Sequence, residues 1–294
     1  MNRCFAWSAP VVALGLVLSG CSSDNAGSSE ETSAATTTSS SAAAAVPDPL
    51  AQQAASEYKT YAIGQIDELV GAVKVLTDAV RAGDLQAAQD AYAPSRLPWE
   101  RIEPLAGLVE EIDGKVDARV DDFAGIDDAE FTGWHRLEYL LFQQNTTEGG
   151  APFADQLDKD IATLKEQFPS VEVTSVDVST GAAELIEEVS EGKITGEEDR
   201  YSHTDLWDFA ANIAGARKVI ELLTPALTAE DPELLAEINS YFDAVEAGLA
   251  PYRTADGGYQ PFTALTAEDT QQLKADLAGL SEELAEVPGV LGLK

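Results

Sequence analysis

From Pro49 to the C-terminus the apolar positions keep a helical period. Tyr58, Ala62, Ile66, Leu69, Val73 and Leu76 recur at spacings of three and four, which lays one apolar stripe along a helix. Gly83 follows as a stop, and Asp84 is placed to cap the next helix. Pro98 sits where a further helix would start, predicted over residues 99 to about 112. Asp127 or Asp128 is placed to cap a segment that runs through Phe142, and Gly149-Gly150 ends its loop. The series continues over residues 155–168, 181–189, 204–223, 232–249 and 266–280. Alternation of period two is scarce. The run Val171-Glu172-Val173-Thr174-Ser175-Val176 is the one strand-like stretch, and it is short. The pattern predicts an all-α fold over residues 49–294.

A weak internal echo accompanies it. Gly71-Ala72-Val73-Lys74-Val75-Leu76 is matched by Gly215-Ala216-Arg217-Lys218-Val219-Ile220, and Glu100-x-x-Glu103 by Asp243-x-x-Glu246. A duplicated bundle gives such an echo, and so do two unrelated amphipathic helices.

The N-terminus follows different rules. Arg3 precedes the apolar run Val11-Val12-Ala13-Leu14-Gly15-Leu16-Val17, which is too short to span a bilayer. Leu18-Ser19-Gly20-Cys21 then reads as a lipoprotein cleavage site. The expectation is a signal peptide over residues 1–20, lipidation of Cys21 and export from the cytoplasm. Cys4 is then lost and Cys21 carries lipid, so no disulfide is available. Residues 21–48, rich in Ser, Thr and Ala, bury too little apolar surface to offset ordering entropy and are expected to form a flexible tether to the membrane. The folded domain is expected over 49–294.

Charge narrows the partners. Against 52 Asp and Glu stand 18 Lys and Arg, a net charge of −34 over 294 residues. Nucleic acid is excluded, because phosphate backbones require clustered basic side chains. Cations are permitted. A hydrophobic content of 45% separates the chain from disordered acidic sequences.

Three segments carry candidate chemistry. His135 and Glu138 lie three apart in an otherwise apolar helix and face the same way. Imidazole and carboxylate suit iron, zinc or manganese, while the same pair also serves as a local salt bridge. Glu100 and Glu103 place two carboxylates on one helix face, which a cation or water must screen, with Asp113 and Asp117 downstream. The third segment runs from Glu197 to Trp207 and holds His203, the only other histidine. There Ser202 or Thr204 could cap a helix, and Glu198 and Asp205 suit either capping or ligation.

These residues resemble the imelysin family. Gly133-x-His135-x-x-Glu138 resembles its Gly-x-His-x-x-Glu motif. Arg200-Tyr201-Ser202-His203-Thr204-Asp205-Leu206, with Asp208-Phe209, Ala211-Asn212 and Gly215, is similar to the EfeO-type iron-uptake members. Trp99-Glu100-Arg101-Ile102-Glu103-Pro104, and Gly258-Tyr259 followed by Leu265-Thr266, fit the same family. The resemblance implies two packed four-helix bundles, which suits the internal echo. It implies a metal-binding protein outside the cytoplasm that serves a ferrous iron permease (EfeU-type) beside a dye-decolourising haem peroxidase (EfeB-type). By match to the family it implies Glu100, Glu103, Asp117, His135, Glu138 and Glu198 as metal ligands, with Gly133, His203 and Asp205 supporting the motifs. The Ser/Thr/Ala tether stands where many EfeO proteins carry a cupredoxin-like domain, so the chain resembles the short, EfeM-like form.

Five carboxylates and one imidazole form a hard ligand set suited to Fe²⁺ or Fe³⁺, with Zn²⁺ and Mn²⁺ also accommodated. All six at one point would carry −5 with neutral His, which calls for two subsites, open positions or a trivalent ion. The expected function is capture and delivery of iron without catalysis. A metallopeptidase is the alternative, though the chain has no His-Glu-x-x-His. A metal-bridged polysaccharide binder is a weaker one, since the acidic surface repels polyanions.

Overall fold

The structure is a computed structural model that describes residues 48–293. The expected signal peptide, Cys21 and all but the last residue of the tether lie outside the described residues. Among the described residues there are nine α-helices and no strand, and one isolated bridge pairs Arg253 with Tyr259. No described helix is long and apolar enough to cross a membrane.

Helix α1 (Pro49–Ala82) begins with Pro at its first position, and the Asp48 carboxylate accepts from Leu50 N at 2.7 Å. It ends at Gly83, whose φ of 75° closes a left-handed cap. The apolar stripe is buried as the period predicts, from Tyr58 through Leu76. Each fully buried Leu or Ile in it contributes about 1.5–3 kcal/mol. Asp84 caps α2 (Leu85–Glu100) by accepting from Ala87 N at 3.1 Å.

Here the expected boundaries shift. Pro94 and Pro98 lie inside α2, so no helix starts at Pro98. The helix survives two prolines because its inward residues Tyr92, Ser95, Arg96, Trp99 and Glu100 are all buried, and tertiary contacts outweigh local propensity. A 3₁₀ segment (Glu103–Leu108) and α3 (Glu110–Val116) follow in place of one long helix. Helix α4 is short (Gly133–Glu138) and widens into a π turn over Tyr139–Gln143. Asp128 does not cap it. Its carboxylate accepts from Ala124 N and Glu130 N and fixes the preceding turn.

Helices α5 (Ala151–Gln167), α6 (Ser175–Glu191), α7 (Asp205–Glu230), α8 (Pro232–Leu249) and α9 (Ala267–Val290) complete the fold. The strand-like run at 171–176 is a helix start. Thr174 Oγ1 accepts from Asp177 N at 3.3 Å, and the Asp177 carboxylate accepts from Thr174 N at 2.7 Å. This reciprocal cap decides a stretch whose alternation is too short to build a sheet.

Helices α1, α2, α4 and α5 pack as one four-helix group, and α6 to α9 as a second. Helices α1 and α2 lie against α7 and join the two. At that joint the last carbonyls of α2 need partners, as at any helix end. Arg101 O accepts from Tyr58 Oη at 3.0 Å, and Glu100 O accepts from Asn212 Nδ2 at 3.0 Å. The approach requires Gly215, where an added Cβ would lie 2.3 Å from Arg101 O. The echo therefore spans unlike surroundings: Gly71 faces open space, and Asp243 is exposed where Glu100 is buried.

The contrast is measurable. Gly215→Ala is expected to lower stability in urea unfolding by about 1–3 kcal/mol through the forced shift at the joint. Gly71→Ala is expected to raise it by about 0.5–1 kcal/mol through helix propensity alone. Equal effects at the two positions would contradict this packing.

Candidate metal centre

The joint between the two helix groups holds a buried cluster of charges. Helix α2 brings Arg96 and Glu100, one turn apart on its inner face. Helix α3 ends at Asp117, whose carboxylate accepts from Trp99 Nε1 at 2.9 Å. The next contribution depends on a glycine. Gly133 has φ 76°, and a Cβ there would lie 2.3 Å from Val116 O, so only glycine lets the start of α4 close on the end of α3. Thr132 Oγ1 donates to Lys115 O at 3.0 Å and ties the same joint. His135 is thereby aimed at Asp117. Lys193, Glu198 and Asp199 come from the segment between α6 and α7, and Asp205, Asp208 and Asn212 from the first turns of α7.

Arg96 sits at the centre, with no exposed side-chain surface. Its Nη2 lies 2.5 Å from Glu100 Oε1 and 3.4 Å from Glu198 Oε1, and its Nε lies 3.2 Å from Asp208 Oδ2. Its Nη1 is paired with Asp117. The guanidinium also lies 5.5 Å from the Trp134 ring centroid. Lys193, 1% exposed, is a second internal cation. Its Nζ lies 2.7 Å from Glu103 Oε1, 3.2 Å from Glu100 Oε2 and 3.6 Å from Glu198 Oε1.

The imidazole of His135 is 3% exposed. Nδ1 lies 3.2 Å from Glu138 Oε2, which sets the ring's orientation. Nε2 has no hydrogen-bond partner, although it faces Asp117 Oδ1 at 3.5 Å and Glu198 Oε1 at 3.9 Å. Ligand atoms of Asp117, His135 and Glu198 all lie within 4.8 Å of one another. A buried ring nitrogen without a hydrogen bond, facing two carboxylates, is the arrangement a metal ion completes. With neutral His the three groups carry −2, which matches one divalent ion.

The six residues expected as ligands therefore divide. His135, Asp117 and Glu198 converge. Glu138 touches His135, but its other oxygen accepts from Tyr201 N, Ser202 N and Ser202 Oγ at 2.8, 2.8 and 3.1 Å. It holds the ring and the 201–202 turn together. Glu100 and Glu103 lie around Lys193. Glu197, the neighbour that made Glu198 ambiguous in the sequence, is exposed and pairs with Arg200. His203 stands in the left-handed region at φ 59°. Its N–H donates to Asp199 O at 2.7 Å and its carbonyl accepts from Phe262 N at 2.8 Å. Asp205 Oδ1 accepts from Asp199 N at 3.1 Å, so both residues brace the backbone.

Sequence reasoning missed Arg96, Lys193 and Asp199. The one local signal was Arg96-x-x-x-Glu100, a helical ion-pair spacing common on exposed faces. Asp199 accepts from Tyr92 Oη at 2.9 Å and from Thr204 Oγ1. Together with His135 and Glu138 it forms a second group of ligand-type atoms, in which His135 presents Nδ1, the nitrogen that Glu138 already holds.

A cleft of about 820 Å³ opens onto the centre. Glu103, Asp113, Asp117, Glu188 and Glu198 are among its lining residues, with Arg119 beside them. Arg119 Nη1 lies 2.8 Å from Glu198 Oε2. Burial pushes the Asp113 carboxyl up to about 7, aided by the charge on Asp117. Burial likewise pushes Asp205 up to about 7, with Asp199 adding to it. Burial alone would lower the His135 pKa, but the carboxylates of Asp117 and Glu138 beside its two ring nitrogens outweigh it and carry the ring to about 10. Asp117 moves the other way. Its burial is overcome by Arg96 and His135, which hold it below the usual carboxylate range.

The imelysin family model matches residues 54–287. The chain is 47% identical to the iron uptake system component EfeO of Escherichia coli O157:H7 over 241 residues, and 46% identical to those of Escherichia coli strain K12 and Shigella flexneri. Each match covers 82% of this chain and 64% of the relative, so the chain spans less than two thirds of those proteins' length.

The proton affinities set a pH dependence for the metal-free protein. Folded Asp113 and Asp205 hold protons up to about pH 7, where carboxyls of the unfolded chain have released theirs from ~4 upward. Their contribution is complete below ~4 and is lost as pH rises through about 7. His135 acts in the same sense, with loss continuing toward pH 10. Metal-free protein is expected to melt at lower temperature near pH ~8.5 than near pH ~5.5 in calorimetry. A flat or opposite trend would contradict the buried, protonated groups.

Proposed function

The chain belongs to the imelysin family, and on that premise we propose that it is the iron-binding component of a ferrous iron uptake system, held outside the cytoplasm by lipid on Cys21. Iron is its cargo. It enters through the acidic cleft, where the carboxylates raise the local cation concentration, and is bound by His135 Nε2, Asp117 and Glu198. The observation that carries this reading is the buried Nε2 of His135, without a hydrogen bond and facing two carboxylates. The name of the relatives, iron uptake system component, supports iron as the ion. Oxygen-rich ligation with one imidazole also accommodates Mn²⁺ and Zn²⁺.

Release to a membrane permease of the EfeU type, with an EfeB-type haem peroxidase as a further component, completes the proposed role. The centre is suited to capture with release. Two of its three ligands are shared with neighbouring cations, Asp117 with buried Arg96, and Glu198 with buried Arg96 and Lys193 and with Arg119 at the cleft. Departure of the metal therefore leaves no unpaired carboxylate. A peptidase would need a general base with a free lone pair beside the metal-bound water. Glu138, the carboxylate nearest His135, already accepts from two backbone N–H groups and a hydroxyl.

Anaerobic titration with Fe²⁺ tests the site. His135→Ala, Asp117→Asn and Glu198→Gln are each expected to weaken binding at least about tenfold, or ~1.4 kcal/mol. Glu197→Gln, at the exposed neighbour, is expected to leave affinity within about twofold. Affinity should rise with pH, because His135 must release its proton before its nitrogen can bind metal. Unchanged affinity in His135→Ala would overturn the assignment.

A further inference from the structure

The segment between α3 and α4 is held unlike the rest of the fold. No residue from 118 to 130 is buried, while Val116 before it and Phe131 after it are fully buried. A stretch anchored at both ends but without apolar burial between them keeps its place by polar contacts, and such stretches open at low free energy. Arg119 N donates to Asp122 Oδ2 at 3.0 Å and closes a 3₁₀ turn over Val120–Asp122. Arg136 Nη1 donates to Ile126 O at 2.7 Å and pins the far end. Arg119, Asp122 and Phe123 of this strap line the cleft that leads to the centre. Two ion pairs cross from the strap to the segment before α7. Arg119 Nη1 lies 2.8 Å from Glu198 Oε2, and Arg200 Nη2 is paired with Asp121. The polarity reverses between them, so that each segment offers one acid and one base two residues apart. Both pairs reach solvent. The side chains of Arg119 and Arg200 are 33% and 24% exposed, against 3% for His135 and 4% for Glu198.

We propose that this double clasp, Arg119 with Glu198 and Asp121 with Arg200, is the gate of the metal centre, and that it must part for an ion to pass between the cleft and His135. The inference rests on the metal-binding reading above and deepens it by assigning control of exchange to Arg119, Asp121 and Arg200. The two oxygens of Glu198 fit the role. Oε1 lies 3.9 Å from His135 Nε2, and Oε2 is held by Arg119 from the cleft. The strength of the clasp fits as well. An ion pair with an exposed partner is weak, so it opens often and takes little from the affinity of the site. A divalent ion arriving at Glu198 competes with the Arg119 guanidinium for the carboxylate and repels it, so the cargo itself loosens the first pair. The second pair has an alternative. Glu197 Oε2 lies 3.3 Å from Arg200 Nη2 and seats the guanidinium when Asp121 moves away.

Stopped-flow exchange of Mn²⁺ on the purified chain tests the gate. Mn²⁺ avoids oxidation during the measurement, and Trp99, whose Nε1 donates to Asp117, supplies the fluorescence signal. Uptake is read on mixing with Mn²⁺ and release on mixing the loaded chain with excess chelator. A gate slows both directions alike, so its removal changes rates and not the equilibrium. Asp121→Asn, at an exposed position, and Arg200→Gln are each expected to speed uptake and release at least about fivefold, with Kd within about twofold of wild type. The exchanged pair, Asp121→Arg with Arg200→Asp, is expected to bring both rates back to within about twofold of wild type, which loss of a merely structural contact would not do. The inference is overturned if the single variants exchange Mn²⁺ at wild-type rates. It is also overturned if release alone speeds and affinity falls in step, or if the exchanged pair stays as fast as the single variants. His135→Ala separates this inference from the reading it rests on. Unchanged affinity in that variant, with faster exchange in Asp121→Asn, would sink the His135 centre and leave the clasp standing.

Discussion

The guanidinium of Arg96 is the constraint on which the rest of the molecule depends. It is wholly buried, and four carboxylates accept hydrogen bonds from it: Glu100 on α2, Asp117 after α3, Glu198 before α7 and Asp208 within α7. An ion removed from water costs several kcal/mol unless each of its hydrogens finds a partner. Losing any one partner leaves a buried N–H without its acceptor, which favours the one arrangement of these segments that closes the ring. That arrangement seats one helix group on the other. It also fixes where Asp117 and Glu198 stand relative to His135. In the proposed reading, the binding geometry is a by-product of solving the burial of one arginine. Pre-formed ligands lose little conformational entropy on binding, which favours capture at low concentration.

The two residues of the His-x-x-Glu motif do different work. His135 offers Nε2 to the centre. Glu138 holds Nδ1 with one oxygen and, with the other, accepts from the backbone at Tyr201 and Ser202. One carboxylate thereby links the ring orientation to the turn that precedes α7. The left-handed residue His203 and the carboxylates of Asp199 and Asp205 secure the same turn from the other side. A cavity whose walls are held by such bonds keeps its shape.

Much of the fold was legible in the sequence because it rests on local rules. The stripe from Tyr58 to Leu76, the Gly83 stop, the Asp84 cap and the limits of α8 all follow from period and capping. Where the reading failed, tertiary contacts won. Pro98 reads as a helix start until the buried faces of Arg96, Trp99 and Glu100 are seen to carry α2 through it. The 171–176 stretch, too short to be read as a strand, starts α6 through the local Thr174–Asp177 cap. At the centre, family motifs pointed to Glu100, Glu103, Asp117, Glu138, Glu198 and His135. They could not separate those that converge from those that gather round Lys193. That separation depends on two basic residues far apart in the chain, and nothing local marks a lysine as buried. In so acidic a sequence, the informative charges were the few positive ones inside.

The central claim is that Asp117, His135 and Glu198 bind the ion while Arg96 and Lys193 pair with Glu100, Glu103 and Asp208. An anomalous difference map from crystals soaked in Mn²⁺ tests it most directly. The account predicts one peak per chain, bonded to His135 Nε2 and to carboxylate oxygens of Asp117 and Glu198, with Lys193 still seated between Glu100 and Glu103. A peak between Glu100 and Glu103 with Lys193 displaced, or no peak beside His135, would contradict it.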